Sequence, residues 1–89
     1  KWNEGVDAAH VAAAGAALDR LPSLIPEVMS YQHGPDLGVA ATNYDYVVTA
    51  EFADLGDYLT YRDHPRHQDV VKGFLSRHST RCAAQFSLG

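Results

Sequence analysis

Strict alternation over residues 46–52 is the strongest constraint on what this chain folds into. Tyr46, Val48, Ala50 and Phe52 point one way and Val47, Thr49 and Glu51 the other, in a stretch rich in β-formers. A strand with one apolar face must pair at its edge and cover that face with other elements. Two further segments carry the same period. Residues 27–33 alternate loosely, with Met29 and Tyr31 on one side and Ser30 and Gln32 on the other. Near the end, Cys82, Ala84, Phe86 and Leu88 alternate with Ala83, Gln85 and Ser87, which predicts a closing strand. Residues 34–43, with Gly34, Pro35, Asp36, Gly38 and Asn43, have the composition of a turn or loop.

Helical spacing fills the rest. Over residues 6–25, Val11, Ala14, Leu18 and Leu21 recur at three and four, with Asp7 as N-cap. Pro22 and Pro26 then end that helix near Leu21 or Leu24. Asp54 caps a second helix bearing Leu55, Tyr58, Leu59 and Arg62. His64-Pro65 reads as a joint to a third helix over residues 66–76, with Val70, Val71, Phe74 and Leu75 on its buried face. The order is helix, strand, strand, helix pair, strand, an α+β arrangement lacking one strand at the front. Lys1 and Trp2 are expected to be the tail of that strand, which completes a ferredoxin-like βαββαβ unit. The chain opens at Lys1 with no methionine, so residues 1–89 are expected to form one domain whose first strand is truncated ahead of residue 1.

Composition narrows the function classes. Seven basic residues against eleven acidic, with the arginines scattered, make nucleic acid an unexpected partner. A single cysteine, Cys82, leaves no internal disulfide and makes a reducing cytoplasm the expected compartment. The longest apolar stretch, residues 11–18, is too short to span a bilayer, and no signal peptide is recognisable. A chain of 89 residues buries only about 60–65% of its unfolded surface, so a partner subunit would aid its stability.

Phe52, Asp54, Tyr58, Tyr61, His64, Pro65 and His67 together form a strand end, an acid-capped helix and a Tyr-x-x-His-Pro-x-His element. This element resembles that of the stress-responsive A/B barrel family. Trp2-Asn3-Glu4-Gly5 is similar to the end of that family's first strand, and Leu24-Ile25-Pro26-Glu27-Val28 with Gly34 to its second-strand approach, so the likeness spans nearly the whole chain. The resemblance implies a dimeric α/β barrel, in which the sheets of two ferredoxin-like units face one another. Burying apolar sheet surface at about 25 cal/mol per Å² would favour such pairing. A plant member of the family closes linear polyketides into aromatic acids by an intramolecular aldol reaction, using a tyrosine and the last histidine of this element. Those positions are Tyr61 and His67. An imidazole with a reference pKa of about 6.5 can take a proton beside a carbonyl, and a phenol can hold the enolate. That chemistry requires no metal or organic cofactor. The first helix here is lined by alanines where that enzyme presents aromatic residues.

The expected function is therefore a homodimer that binds a small apolar or aromatic compound, with polyketide cyclase-like catalysis by His67 and Tyr61. His64, Tyr46, Val48, Ala50 and Phe74 are the expected ligand-binding residues. The alternatives are a non-catalytic stress-associated protein and a monooxygenase-like or haem-handling dimeric barrel. Each residue also has a plain structural reading. His64 and His67 can simply bond to backbone at a helix joint, and strand aromatics are more often core than cavity. His64 and His67 with Asp63 and Asp69 have metal-ligand types, but zinc normally requires a further ligand of good geometry. His10, His33 and His78 read as surface or strand-end residues, and Cys82 as a small buried hydrophobe.

Overall fold

The computed structural model describes residues 1–88. Helix α1 spans Ala8–Leu24 and begins where expected, with the Asp7 carboxylate accepting the His10 N–H at 2.8 Å. Removing that cap with Asp7→Ala is expected to lower stability by about 1 kcal/mol, read as a lower urea midpoint at unchanged m-value. The helix runs through Pro22 and closes when the Ile25 N–H donates to the Leu21 carbonyl at 2.9 Å. Ala14, Ala17, Leu18 and Leu21 form its buried stripe, so the alanines bring the helix close to the sheet.

Strands β1 (Val28–Pro35) and β2 (Tyr46–Phe52) pair antiparallel, from Val28 opposite Phe52 to Pro35 opposite Tyr46. The pairing slips between Val28 and Ser30, a bulge that corrects the alternation expected for β1. Met29 turns outward to 69% exposure, while Val28 and Tyr31 pack on the core. The strand also reaches Pro35, beyond its expected end at His33.

Helix α2 (Leu55–Asp63) is capped by Asp54, which accepts the Asp57 N–H at 2.8 Å. Helix α3 (Pro65–Val70) starts on Pro65 as expected, but the single helix expected over residues 66–76 is not continuous. It gives way to a π-helical turn at Val71–Leu75. Ala17, Leu18, Leu21, Ile25, Tyr61 and Val70 form the buried core between the helices and one face of the sheet.

Trp2 forms an isolated antiparallel bridge with Ser79. Lys1 and Thr80 exchange two backbone hydrogen bonds, at 2.6 and 2.7 Å, and the Asn3 N–H donates to the His78 carbonyl at 2.7 Å. Lys1-Trp2 is thus strand-like and antiparallel to the chain's last segment. Residues 80–88, however, are assigned to no strand, so the closing strand expected over 82–88 lacks a ladder. Among the described residues β2 pairs only with β1, which leaves its second edge open. The apolar outer sheet face expected from the barrel is mixed in character. Val47 is 54% exposed there, beside the exposed polar Ser30, Gln32, Thr49 and Glu51.

Candidate functional site

His64 ends α2 and caps α3, its Nδ1 accepting the Arg66 N–H at 3.1 Å. The turn this creates carries His67 back over the last turn of α2. There the imidazole lies against the Tyr61 ring, with centroids 4.1 Å apart and planes 33° from parallel. His67 Nδ1 is 3.0 Å from the Arg62 carbonyl oxygen. A carbonyl only accepts, so Nδ1 carries the hydrogen and the neutral ring keeps its lone pair on Nε2. Gln68 Nε2 donates to the same carbonyl at 2.6 Å.

Burial lowers the His67 pKa, outweighing the raising effect of its bond to the Arg62 carbonyl, and Arg81 lowers it further. The folded protein therefore resists a proton that the unfolded chain accepts. His67's contribution to stability is complete above its ordinary value near 6.5 and is lost as the pH falls through the lowered folded value. Urea midpoints at about pH 7 and about pH 5 should show a larger acid loss for the native chain than for His67→Gln.

The Tyr61 hydroxyl is 3.0 Å from that of Tyr31. Burial raises both phenols, and their mutual bond raises Tyr31 further while lowering Tyr61. Either hydroxyl can donate in this pair, and with Tyr31 as the donor the Tyr61 O–H is available to a third group. Phe52 and Tyr58 close around the Tyr61 ring at 5.1 and 6.5 Å.

Tyr31, Tyr61 and His67 line an open groove of about 1900 Å³ whose walls include residues from both faces of the sheet, the helices and residues 81–88. Of the expected ligand-binding residues, Tyr46, Val48 and Ala50 line it as well. His64 and Phe74 do not. His64 is occupied as a helix cap. Phe74 lies on a separate hollow of about 240 Å³ between α1 and α3, with Leu24, Arg66 and Asp69. Asp63 pairs with Arg62 at 3.0 Å, and among the described residues no three His, Cys, Asp or Glu side chains converge.

The histidines read as ordinary surface residues are all engaged. His10 Nε2 donates to the Phe74 carbonyl at 2.9 Å, and its ring packs on His78 at 4.2 Å. His33 bridges α1 to β2. Its Nε2 is 2.5 Å from Asp19 Oδ1, and its Nδ1 is 2.7 Å from the Tyr46 hydroxyl. Spacing of two on β1 puts Tyr31 and His33 on one face, but no sequence signal ties Asp19 to them. Cys82 is exposed, contrary to its reading as a buried hydrophobe.

A family model described as "Stress responsive A/B Barrel Domain" matches residues 1–88. Solved structures agree in fold. A dimeric ferredoxin-like protein of unknown function from Thermobifida fusca is 37% identical, with a TM-score of 0.89 over 99% of this chain and 83% of that one. A dimeric protein of ferredoxin-like fold and unknown function from Bacteroides fragilis is 20% identical, with a TM-score of 0.74 over 91% of this chain and 81% of that one. A protein from Arabidopsis thaliana is 18% identical, with a TM-score of 0.77 over 99% and 92%. No curated protein matches. Among the described residues no helix is long and apolar enough to cross a membrane.

Proposed function

The chain belongs to the stress responsive A/B barrel domain family, and on that premise we propose that it is a homodimeric protein whose groove binds a small apolar or aromatic compound and acts on it in the manner of a polyketide cyclase. One observation carries this reading: His67 lies on the Tyr61 ring with Nδ1 tied to the Arg62 carbonyl. Its Nε2 is a base at neutral pH, and the Tyr61 hydroxyl, backed by Tyr31, is a donor for a developing enolate. His67 would take a proton beside a substrate carbonyl, and the resulting carbon nucleophile would add to a second carbonyl of the same molecule. His67 then returns the proton to the new alkoxide. Aromatic walls from Phe52, Tyr58 and Tyr61 suit a substrate that becomes planar.

The groove exceeds the usual range for small-ligand sites, about 300–1,000 Å³. Its lining takes in both β2 and residues 81–88, together with Lys1 and Trp2. The reading that fits is a single domain over residues 1–89. Pairing of two copies is supported by the dimeric Thermobifida fusca protein and by exposed Leu37, Val39, Phe86 and Leu88. Light scattering on the full-length chain should then give twice the monomer mass; a monomer throughout the micromolar range counts against pairing. Purified protein is assayed with a linear polyketide acyl thioester, following ring closure by mass spectrometry and ultraviolet absorbance. An unchanged thioester together with no aromatic ligand bound overturns the proposal.

A further inference from the structure

On the inner face of the sheet, at the other end of the groove from His67, three side chains form a continuous hydrogen-bonded chain. Asp19 of α1 faces His33 Nε2, and His33 Nδ1 faces the Tyr46 hydroxyl. A carboxylate accepts only, so Nε2 carries the hydrogen. The neutral ring then offers Nδ1 as an acceptor, and the Tyr46 O–H must donate to it. Burial, and secondarily the Asp19 charge, hold the Tyr46 phenol above its ordinary value, in keeping with a hydroxyl that donates. Tyr46 lines the groove, and a hydroxyl that donates to His33 still has lone pairs with which to accept.

The surroundings fit a held hydroxyl. A Cβ on Gly15 would stand 3.2 Å from the Tyr46 oxygen and 3.9 Å from His33 Cε1, so the helix carries glycine where the pair comes closest. Glycine in a helix interior costs about 1 kcal/mol relative to alanine, a cost the close approach accounts for. The His33 ring stacks on Tyr46 with centroids 5.9 Å apart, Tyr31 meets His33 edge-on at 6.1 Å, and Trp2 meets Tyr46 edge-on at 5.9 Å.

We propose that Asp19, His33 and Tyr46 form a proton relay that recognises and ionises a phenolic or enolic hydroxyl of the ligand at this end of the groove. The ligand's proton passes to the Tyr46 oxygen as the Tyr46 proton passes to His33 Nδ1. The products are a ligand oxyanion and an imidazolium paired with Asp19, so charge and protons balance without a further reactant. The proposal rests on the groove being the ligand site, and it adds the class of group the ligand presents there.

The test uses the full-length chain with 4-nitrophenol, whose phenolate has its own visible band, and with 4-nitroanisole, which has no acidic hydroxyl. Below the free phenol's pKa, the bound native complex should show a phenolate-to-phenol ratio about tenfold above that in solution, equivalent to one pKa unit. His33→Gln and Tyr46→Phe should return the ratio to the solution value, and so should Asp19→Asn, a change on an exposed carboxylate that leaves packing intact. Glu4→Gln, an exposed change away from the groove, should keep the raised ratio, and 4-nitroanisole should bind native and Asp19→Asn protein alike. Equal ratios in native and His33→Gln protein, with 4-nitroanisole still bound, overturn the relay alone. Failure of both compounds to bind the native chain overturns the groove reading and the relay together.

Discussion

His67→Ala is expected to reduce ring closure by about a hundredfold to ten-thousandfold, the range for loss of a positioned base, while leaving the dimer intact. The separation follows from the local bonding. The Arg62 carbonyl that holds His67 Nδ1 also accepts from Gln68 at 2.6 Å, so it stays satisfied when the imidazole is removed. The site loses Nε2 and one face of the Tyr61 packing. Tyr61→Phe keeps the ring and removes the hydroxyl, and should lower kcat by about a hundredfold, as for loss of one oxyanion donor. Steady-state kinetics with light scattering on the same samples checks both. Equal loss of turnover and dimer in His67→Ala would mean that the residue is structural.

Ile25→Ala is expected to lower stability by about 2–5 kcal/mol, a large share of the 5–15 kcal/mol typical of a whole domain. Ile25 has no exposed surface and follows α1 directly, where its N–H closes the helix on Leu21. It packs in one cluster with Leu18, Leu21, Tyr61 and Val70, at the meeting of both helical layers with the sheet. Alanine there leaves a cavity that rigid neighbours cannot fill. Leu24→Ala, one residue earlier but 42% exposed, should cost far less. Urea unfolding followed by circular dichroism separates the two, and similar midpoints would contradict this account of the core.

Much of the site was legible in the chain because its signals are local. Asp7 and Asp54 announce their helices by the capping bonds they make, and Pro65 marks the start of α3 because its fixed φ suits a first turn. Tyr61 and His67 fall six residues apart across that joint, and the turn at His64 closes one ring over the other. His64 was less legible. The same residue type at the same motif position can face a ligand or cap a helix, and the Arg66 N–H decides for the cap. The π-helical turn at Val71–Leu75 was not legible either, since its spacing of Val70, Val71, Phe74 and Leu75 reads as an ordinary helix.

By itself the sequence determined the α+β class, the first two helices and their caps, and the strand with Tyr46, Val48, Ala50 and Phe52 on one face. Period, caps and prolines act over a few residues, so these features need nothing from the rest of the chain. Tertiary structure decided the bulge that turns Met29 outward, the Tyr31–Tyr61 pair and the Asp19–His33–Tyr46 chain. It also decided that residues 80–88 carry no ladder while the far edge of β2 stays open. Each of these joins side chains or backbone from different elements. A hydrogen bond between residues 14 or 30 apart exists only once packing has brought its partners within reach, and no local pattern records that distance.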